Sequence, residues 1–213
     1  MNTSTAATAD EPPEPGQQRA YFDAIYAEQD DPYGVRTRWY ERRKRELLLA
    51  ALPRPRFRRA YEPGCGAAAL SLSLAERCDE LWCSDFHPRA VATATLLLAH
   101  LPHVRVEQRS LPQEWPHEGR FDLVVLSEVS YFLTPDDVHA MAERCNASLT
   151  ADGVLVACDW RPDFAGRRCP TDEVHRLLDG LGLHRLLRHE EDDFLLQVWQ
   201  RSPRSVAQAE GIR

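Results

Sequence analysis

Lysine is almost missing from this chain of 213 residues: of 26 basic side chains only Lys44 is a lysine, and the other 25 are arginine. The bias reads as genome composition, with little functional weight. Positive charge is short overall, because 26 Lys+Arg face 33 Asp+Glu and leave a formal net charge of −7. Without a basic field to neutralise phosphates, the chain is not expected to bind nucleic acid or an anionic membrane. Long apolar runs are missing too, and none approaches the roughly 18 residues of a membrane helix. The N-terminus, MNTSTAATADEPPEPGQQ, has no basic start and no apolar h-region, so it does not read as a secretory signal. The six cysteines form no CxxC pair and no zinc-like cluster. No metal site is expected from them, and free thiols in a reducing cytoplasm are the natural reading.

What is present is the composition of one soluble globular domain, 43% hydrophobic and 28% charged. Residues 1–17 are small, polar and Pro-rich and are expected to be disordered, and residues 202–213 read as a second flexible tail. Between them a single domain over 18–201 begins with helical patterning at 18–52: Tyr21, Phe22, Ile25 and Tyr26 share one face, and a basic segment from Arg36 ends at Pro53. Strands are then expected at Arg59–Glu62, Leu81–Ser84, Val104–Gln108, Phe121–Ser127 and Val154–Cys158. They alternate with helices at Ala67–Cys78, from Pro88 to about His100, from Thr134, and at Thr171–Leu181. The nearly continuous apolar run FDLVVLS suits a strand covered on both faces. Thr134-Pro135-Asp136-Asp137 combines a cap, a first-turn proline and two acids. Apolar segments at 183–188 and 194–199, parted by acidic residues, suit a hairpin. Five strand–helix alternations predict a doubly wound α/β domain, mostly parallel, closed by an antiparallel strand.

The first strand runs into Glu62-Pro63-Gly64-Cys65-Gly66, whose glycines permit a sharp turn and close approach of a ligand. Gly64-x-Gly66-x-x-Ala69 also fits the dinucleotide fingerprint. Asp85, about 20 residues on, stands where a carboxylate accepts from two ribose hydroxyls. Together they indicate a nucleoside-bearing cofactor. Glu62 favours S-adenosylmethionine (SAM) over a nicotinamide dinucleotide, since an acid there can face a methionine ammonium but repels a pyrophosphate. Ser127 and Glu128 put polar groups at the carboxyl end of the fourth strand, and no separate substrate domain follows.

At these residues the chain resembles the class I SAM-dependent methyltransferases, a seven-stranded Rossmann-like family: the E-x-G-x-G loop, Asp85, FDLVVLSEV and the Gly153 turn occur in the family's order. Three stretches resemble more narrowly the nodulation-type (NodS-like) N-methyltransferases, which methylate a chitooligosaccharide amine: DPYGVRTRWYERRK at 31–44, AYEPGCGAAALSLSLAERCDEL at 60–81 and LPHVRVEQRSLPQEWP at 101–116. The resemblance implies SAM as cofactor and a small-molecule acceptor, an amine nitrogen of an amino sugar or oligosaccharide-like compound. The alternatives are an NAD-dependent oxidoreductase on the same loop and a non-catalytic SAM-binding protein.

Carried over residue by residue, the resemblance places Glu62, Gly64 and Gly66 around methionine and ribose, Asp85 on the ribose diol and Phe86 against adenine. Where relatives carry an acid after the third strand, this chain has Ser110 and Leu111. Tyr40 and Arg43, with Trp39, lie on the N-terminal helix over the cofactor, and Arg43 has the geometry to clamp the SAM carboxylate. Glu128 is the candidate to hold or deprotonate the acceptor amine, oriented by Ser127 and Tyr131. Trp115 and Trp160 are candidate walls of the cofactor and acceptor pockets, with Asp159 and Arg161 at the same sheet end. His139 and His175 are expected at the surface, and Cys65 as a small filler.

Overall fold

In a computed structural model, residues 15–213 are described. Two helices lead, α1 (Pro15–Tyr26) and α2 (Trp39–Ala51), and the alternating part follows: β1 (Phe57–Pro63), α3 (Ala69–Ala75), β2 (Cys78–Asp85), α4 (Pro88–Leu98), β3 (Val104–Gln108) and β4 (Phe121–Ser127). A single 3-10 turn at Ser130–Phe132 leads to α5 (Pro135–Ser148), β5 (Leu149–Trp160), α6 (Thr171–Asp179), β6 (His184–Glu190), β7 (Phe194–Gln200) and α7 (Val206–Ala209). The tail expected over 1–17 lies outside the described residues except for its last three, which begin α1. Part of the second expected tail is helical: Ser205 and Gln208 close a capping box over α7.

The seven strands form one sheet in the order β3-β2-β1-β4-β5-β7-β6. Neighbours from β3 to β5 pair parallel, whereas β7 runs antiparallel to both β5 and β6. The expected hairpin therefore folds back so that its second strand enters the sheet and its first becomes the edge. Strand order reverses between β1 and β4, and there the loops at the carboxyl ends diverge and leave a crevice.

Side-chain alternation explains why the apolar strands read as continuous runs. On β4, Phe121, Val124 and Leu126 join the core under α5 and α6, while Leu123 and Val125 join the core under α2, α3 and α4. Thr134 accepts from the Asp137 N–H and starts α5 where its sequence predicts. β1, β2 and β5 extend beyond the predicted strands, because alternating exposed residues at their amino ends still pair. α3 starts two residues late, since Ala68 at φ 59 is left-handed and cannot continue a helix. All six cysteines are free and buried, and no described helix is long and apolar enough to cross a membrane.

Candidate active site

The turn after β1 is built on left-handed backbone at Gly64 (φ 71) and Gly66 (φ 51). A Cβ on Gly64 would lie 2.6 Å from Val129 Cγ2, so the turn packs against the segment that follows β4. A Cβ on Gly66 would meet only the Tyr26 hydroxyl at 3.7 Å, which leaves this backbone open to the crevice. Asp85, at the end of β2, accepts from the Gly66 N–H at 3.0 Å and from the His87 N–H at 2.9 Å, one on each oxygen. Each oxygen keeps a further acceptor position, the number a diol needs. Burial pushes the Asp85 carboxyl upward despite these bonds. Glu62 is more extreme: only 3% exposed, it is pushed by burial up to about 7.

These groups line one cavity of about 930 Å³ over the switch point. Tyr40, Phe86, Ser110, Leu111, Ser127, Glu128 and Tyr131 line it as well. So do residues of both leading helices, among them Phe22, Tyr26 and Leu48. Phe86 and the Ser110–Leu111 pair stand at the ends of β2 and β3 beside Asp85, the place expected for a base. Tyr40 stands elsewhere: its ring meets Trp160 edge-on at 5.8 Å and Phe194 at 6.4 Å, on the β5–β7 side. Its hydroxyl is buried without a partner. Tyr40 thus stands beside Trp160, one of the residues expected at the acceptor, and lines the same cavity as the glycine turn.

Arg43 is not part of the cavity wall. It makes a bidentate pair with Glu191 in the turn before β7, at 2.8 and 2.7 Å. That pair holds the Glu191 carboxyl down at about 2. Its neighbour Lys44, in contrast, lines the cavity. Tyr40, Lys44 and Leu48 are spaced by four and share one helical face, whereas Arg43 points about a quarter turn away. Lys44 is buried, donates to Glu128 Oε1 at 2.6 Å and forms an ion pair with Glu41 Oε2 at 3.0 Å, with its ammonium 5.0 Å from the Tyr40 ring centroid. Burial pulls its pKa down, but Glu128 and Glu41 more than offset that and hold it up as an ammonium. The chain's one lysine, discounted as composition, is therefore a wall of the cavity. The stripe of Tyr40, Lys44 and Leu48, spaced by four, carried that signal in the sequence.

Glu128 sits at φ 58, a left-handed backbone that turns its side chain back across the sheet end. Its second oxygen accepts from the Tyr131 hydroxyl and from the Trp160 N–H at 3.1 Å. Three of about four lone-pair positions are thus engaged. The remaining candidates sort clearly. Trp160 lines the cavity. Trp115 does not: it lies 5.0 Å edge-on to Tyr61 and donates to Ser148, a core position. Trp39 is 67% exposed, and Arg161 pairs outward with Glu190. His139 is exposed on α5, as expected. His175 corrects the expectation, being 2% exposed and bonded to Asp159 at 3.1 Å and to Gln197 at 2.6 Å beneath β5. Asp159 faces this partner and not the cavity. Cys65 and Cys158 line the cavity as thiols, because burial pushes both well up.

The donor set fits a zwitterionic nucleoside better than a dinucleotide. Glu62, Asp85 and Glu128 put three carboxylates on the cavity wall, where a pyrophosphate would be repelled and an ammonium held.

Comparisons with known proteins agree with this geometry. A family model for a methyltransferase domain matches residues 61–155. A solved structure from Pseudomonas syringae, assigned as a methyltransferase, is 49% identical; the match covers 77% of this chain and all (100%) of that one, with a TM-score of 0.70. The N-methyltransferase NodS from Bradyrhizobium japonicum WM9, solved with S-adenosyl-L-homocysteine (SAH), shares the fold at 23% identity over 86% of this chain and 97% of that one, with a TM-score of 0.77. Among curated proteins, nodulation protein S of Rhizobium tropici is 30% identical over 105 residues, 49% of this chain and 44% of that protein. That of Bradyrhizobium diazoefficiens is 27% identical over 140 residues, 65% of this chain and 66% of that protein. The chain thus spans 44% to 66% of the length of the curated relatives it matches.

Proposed function

From the premise that this chain belongs to the class I SAM-dependent methyltransferases and is NodS-like within them, we propose that it methylates the amine nitrogen of a small molecule. The observation that carries the choice of nitrogen is the absence of a strong base. No histidine lines the cavity among the described residues. The phenols of Tyr26, Tyr40 and Tyr131 are pushed up by burial, the Cys65 and Cys158 thiols likewise, and Lys44 is held as an ammonium. The carboxylate of Glu128, at the sheet end, is the group this reading assigns to accept a proton. It can relieve an ammonium of one, but it is too weak to prepare an aliphatic hydroxyl.

SAM supplies a methyl group on a positively charged sulfur, which an in-line lone pair displaces with loss of that charge. The chain's task is alignment and desolvation. Glu62 meets the methionine ammonium, Asp85 the ribose diol, and Phe86 with Leu111 the adenine. Glu128 holds the acceptor amine at its one uncommitted lone-pair position and takes its proton. Tyr131 donates to Glu128 and so turns its own oxygen lone pairs towards the amine N–H. Ser127, Tyr40 and Trp160 complete the acceptor wall, and the helices over 18–52 act as its lid. A cavity of about 930 Å³ is near the upper end for a single ligand site. It suits the cofactor with an amino-sugar-sized acceptor, and a longer oligosaccharide extends through the mouth. The net charge of −7 suits a cationic amine and disfavours nucleic acid. Free cysteines suit a reducing cytoplasm.

Thermal-shift titration with SAM, SAH, NAD and NADP tests the cofactor, since only a ligand of the native state raises stability. SAM and SAH should raise the melting temperature and the dinucleotides should not. The reverse order would support the oxidoreductase alternative.

A further inference from the structure

We propose that Arg168 binds an anionic group of the methyl acceptor, so that the acceptor is an amine that also carries a carboxylate or a phosphate. The inference rests on the amine reading above and adds a second point of recognition within the same cavity.

The loop over 161–170, between β5 and α6, is fixed to the residues expected at the acceptor. The Arg168 and Cys169 N–H groups both donate to the Tyr131 carbonyl, at 2.8 and 3.1 Å. Tyr131 in turn donates its hydroxyl to Glu128. One residue therefore joins the two, with its hydroxyl on the Glu128 carboxylate and its carbonyl on the Arg168 backbone. The preceding Arg167 is consumed by the loop itself. Its guanidinium donates to the Trp160 and Pro162 carbonyls at 2.8 and 3.0 Å and lies 4.9 Å from the Tyr131 ring centroid. Arg168 is not consumed in this way. It lines the cavity, and among the described residues its one side-chain bond is a long one to Gln18 Oε1, at 3.5 Å. Its Nε is buried with no partner.

The other cations of the cavity differ. Six basic residues line it among the described residues. Arg19 and Arg38 are exposed, so water serves them. Lys44 pairs with Glu128 and Glu41, Arg109 with Glu107, and Arg45 donates to the Val35 carbonyl. Arg168 alone of the six has a buried nitrogen from which nothing accepts. A guanidinium half withdrawn from water with a donor unmet carries a cost that a bound anion removes. Its planar fork suits a carboxylate and a phosphate alike. Gln18, which touches it, is itself anchored, because its Nε2 donates to the Phe132 carbonyl at 2.8 Å. An acceptor with its amine on Glu128 and its anion on Arg168 is held at both ends, which fixes the nitrogen that meets the methyl group. A neutral amine makes only the first of these contacts.

The test compares acceptors that differ only in the anion. SAH release gives kcat/KM for glucosamine 6-phosphate beside glucosamine, and for 4-aminobutanoate beside 4-aminobutanamide, with wild type, Arg168→Gln and Arg168→Lys. Wild type should favour the anionic member of at least one pair about tenfold or more, and the pair that responds tells phosphate from carboxylate. Arg168→Gln should bring that pair within about twofold, with the neutral amine and SAH affinity near wild type. Arg168→Lys should recover part of the preference, since it keeps the charge and loses the fork. Neutral amines used as well as their anionic partners by wild type, or a preference that survives Arg168→Gln, would overturn the proposal and leave the amine reading standing. Equal losses for both members of a pair would mean that Arg168 only supports the fold, and would overturn it too. If SAM binds and no amine of either kind is methylated, the amine reading itself fails.

Discussion

Replacing Glu62 by glutamine should move stability and cofactor affinity in opposite directions. In the free protein burial carries this carboxyl from its ordinary 4.5 to about 7. The folded state therefore holds the Glu62 proton more tightly than the unfolded chain. The ionised form becomes a burden that is absent below pH 4.5, accumulates as pH rises, and is complete above about 7. At about 1.4 kcal/mol per tenfold change in proton affinity, the full burden is about 3 kcal/mol. Glutamine keeps the shape and cannot ionise. At pH 8 Glu62→Gln should therefore melt about 5–10 °C above wild type, by the usual conversion for a chain of this size. At pH 4 the two should melt together. SAH binding should behave conversely: wild type gains affinity as pH rises through 7, and Glu62→Gln binds about tenfold or more weakly at pH 8 with little pH dependence from this position. Melting curves and calorimetric titrations between pH 4 and 8 read both effects. A variant that melts lower than wild type at pH 8 would refute the reasoning about burial, and unchanged SAH affinity would refute the placement of the methionine ammonium.

Three further outcomes are expected. Gly64→Ala should cost about 2–4 kcal/mol through left-handed backbone and overpacking against Val129, read as a lower urea midpoint. His175→Leu leaves Asp159 buried without its partner and should cost about 3–5 kcal/mol by denaturant unfolding, with SAH affinity at saturating folded protein unchanged. Tyr131→Phe removes the hydroxyl between Glu128 and the acceptor and should lower kcat about tenfold while leaving the KM for SAM near wild type.

Much of this architecture was legible in the sequence because its signals are local. Glycines at 64 and 66 mark a turn only they adopt cheaply, Pro135 with Thr134 marks a helix start, and the unbroken FDLVVLS run marks a strand covered twice. That Glu62, Asp85 and Ser127 share one cavity was legible too, since all three lie at the carboxyl ends of strands. The cavity wall from α2 was harder to read, because it depends on which side of that helix faces inward. Arg43 and Lys44 are neighbours of like charge, and only the stripe from Tyr40 to Leu48 tells them apart. The buried Asp159–His175–Gln197 set was illegible for a different reason: its members lie on β5, α6 and β7, and nothing local shows that β7 inserts beside β5 and closes over the histidine. The place of Glu128 after β4 made it a candidate, but its bonds to Lys44, Tyr131 and the Trp160 N–H involve three separate segments.

The central claim, methyl transfer to an amine held at Glu128, is tested most directly by SAH release. The protein is incubated with SAM and a panel of small amines, amino sugars included, each beside its hydroxyl isostere. The account predicts SAH formation with one or more amines, an equal yield of methylated amine by mass spectrometry, and none with the matched alcohols. SAH formed with alcohols in preference to amines, or with neither while SAM binds normally, would contradict it.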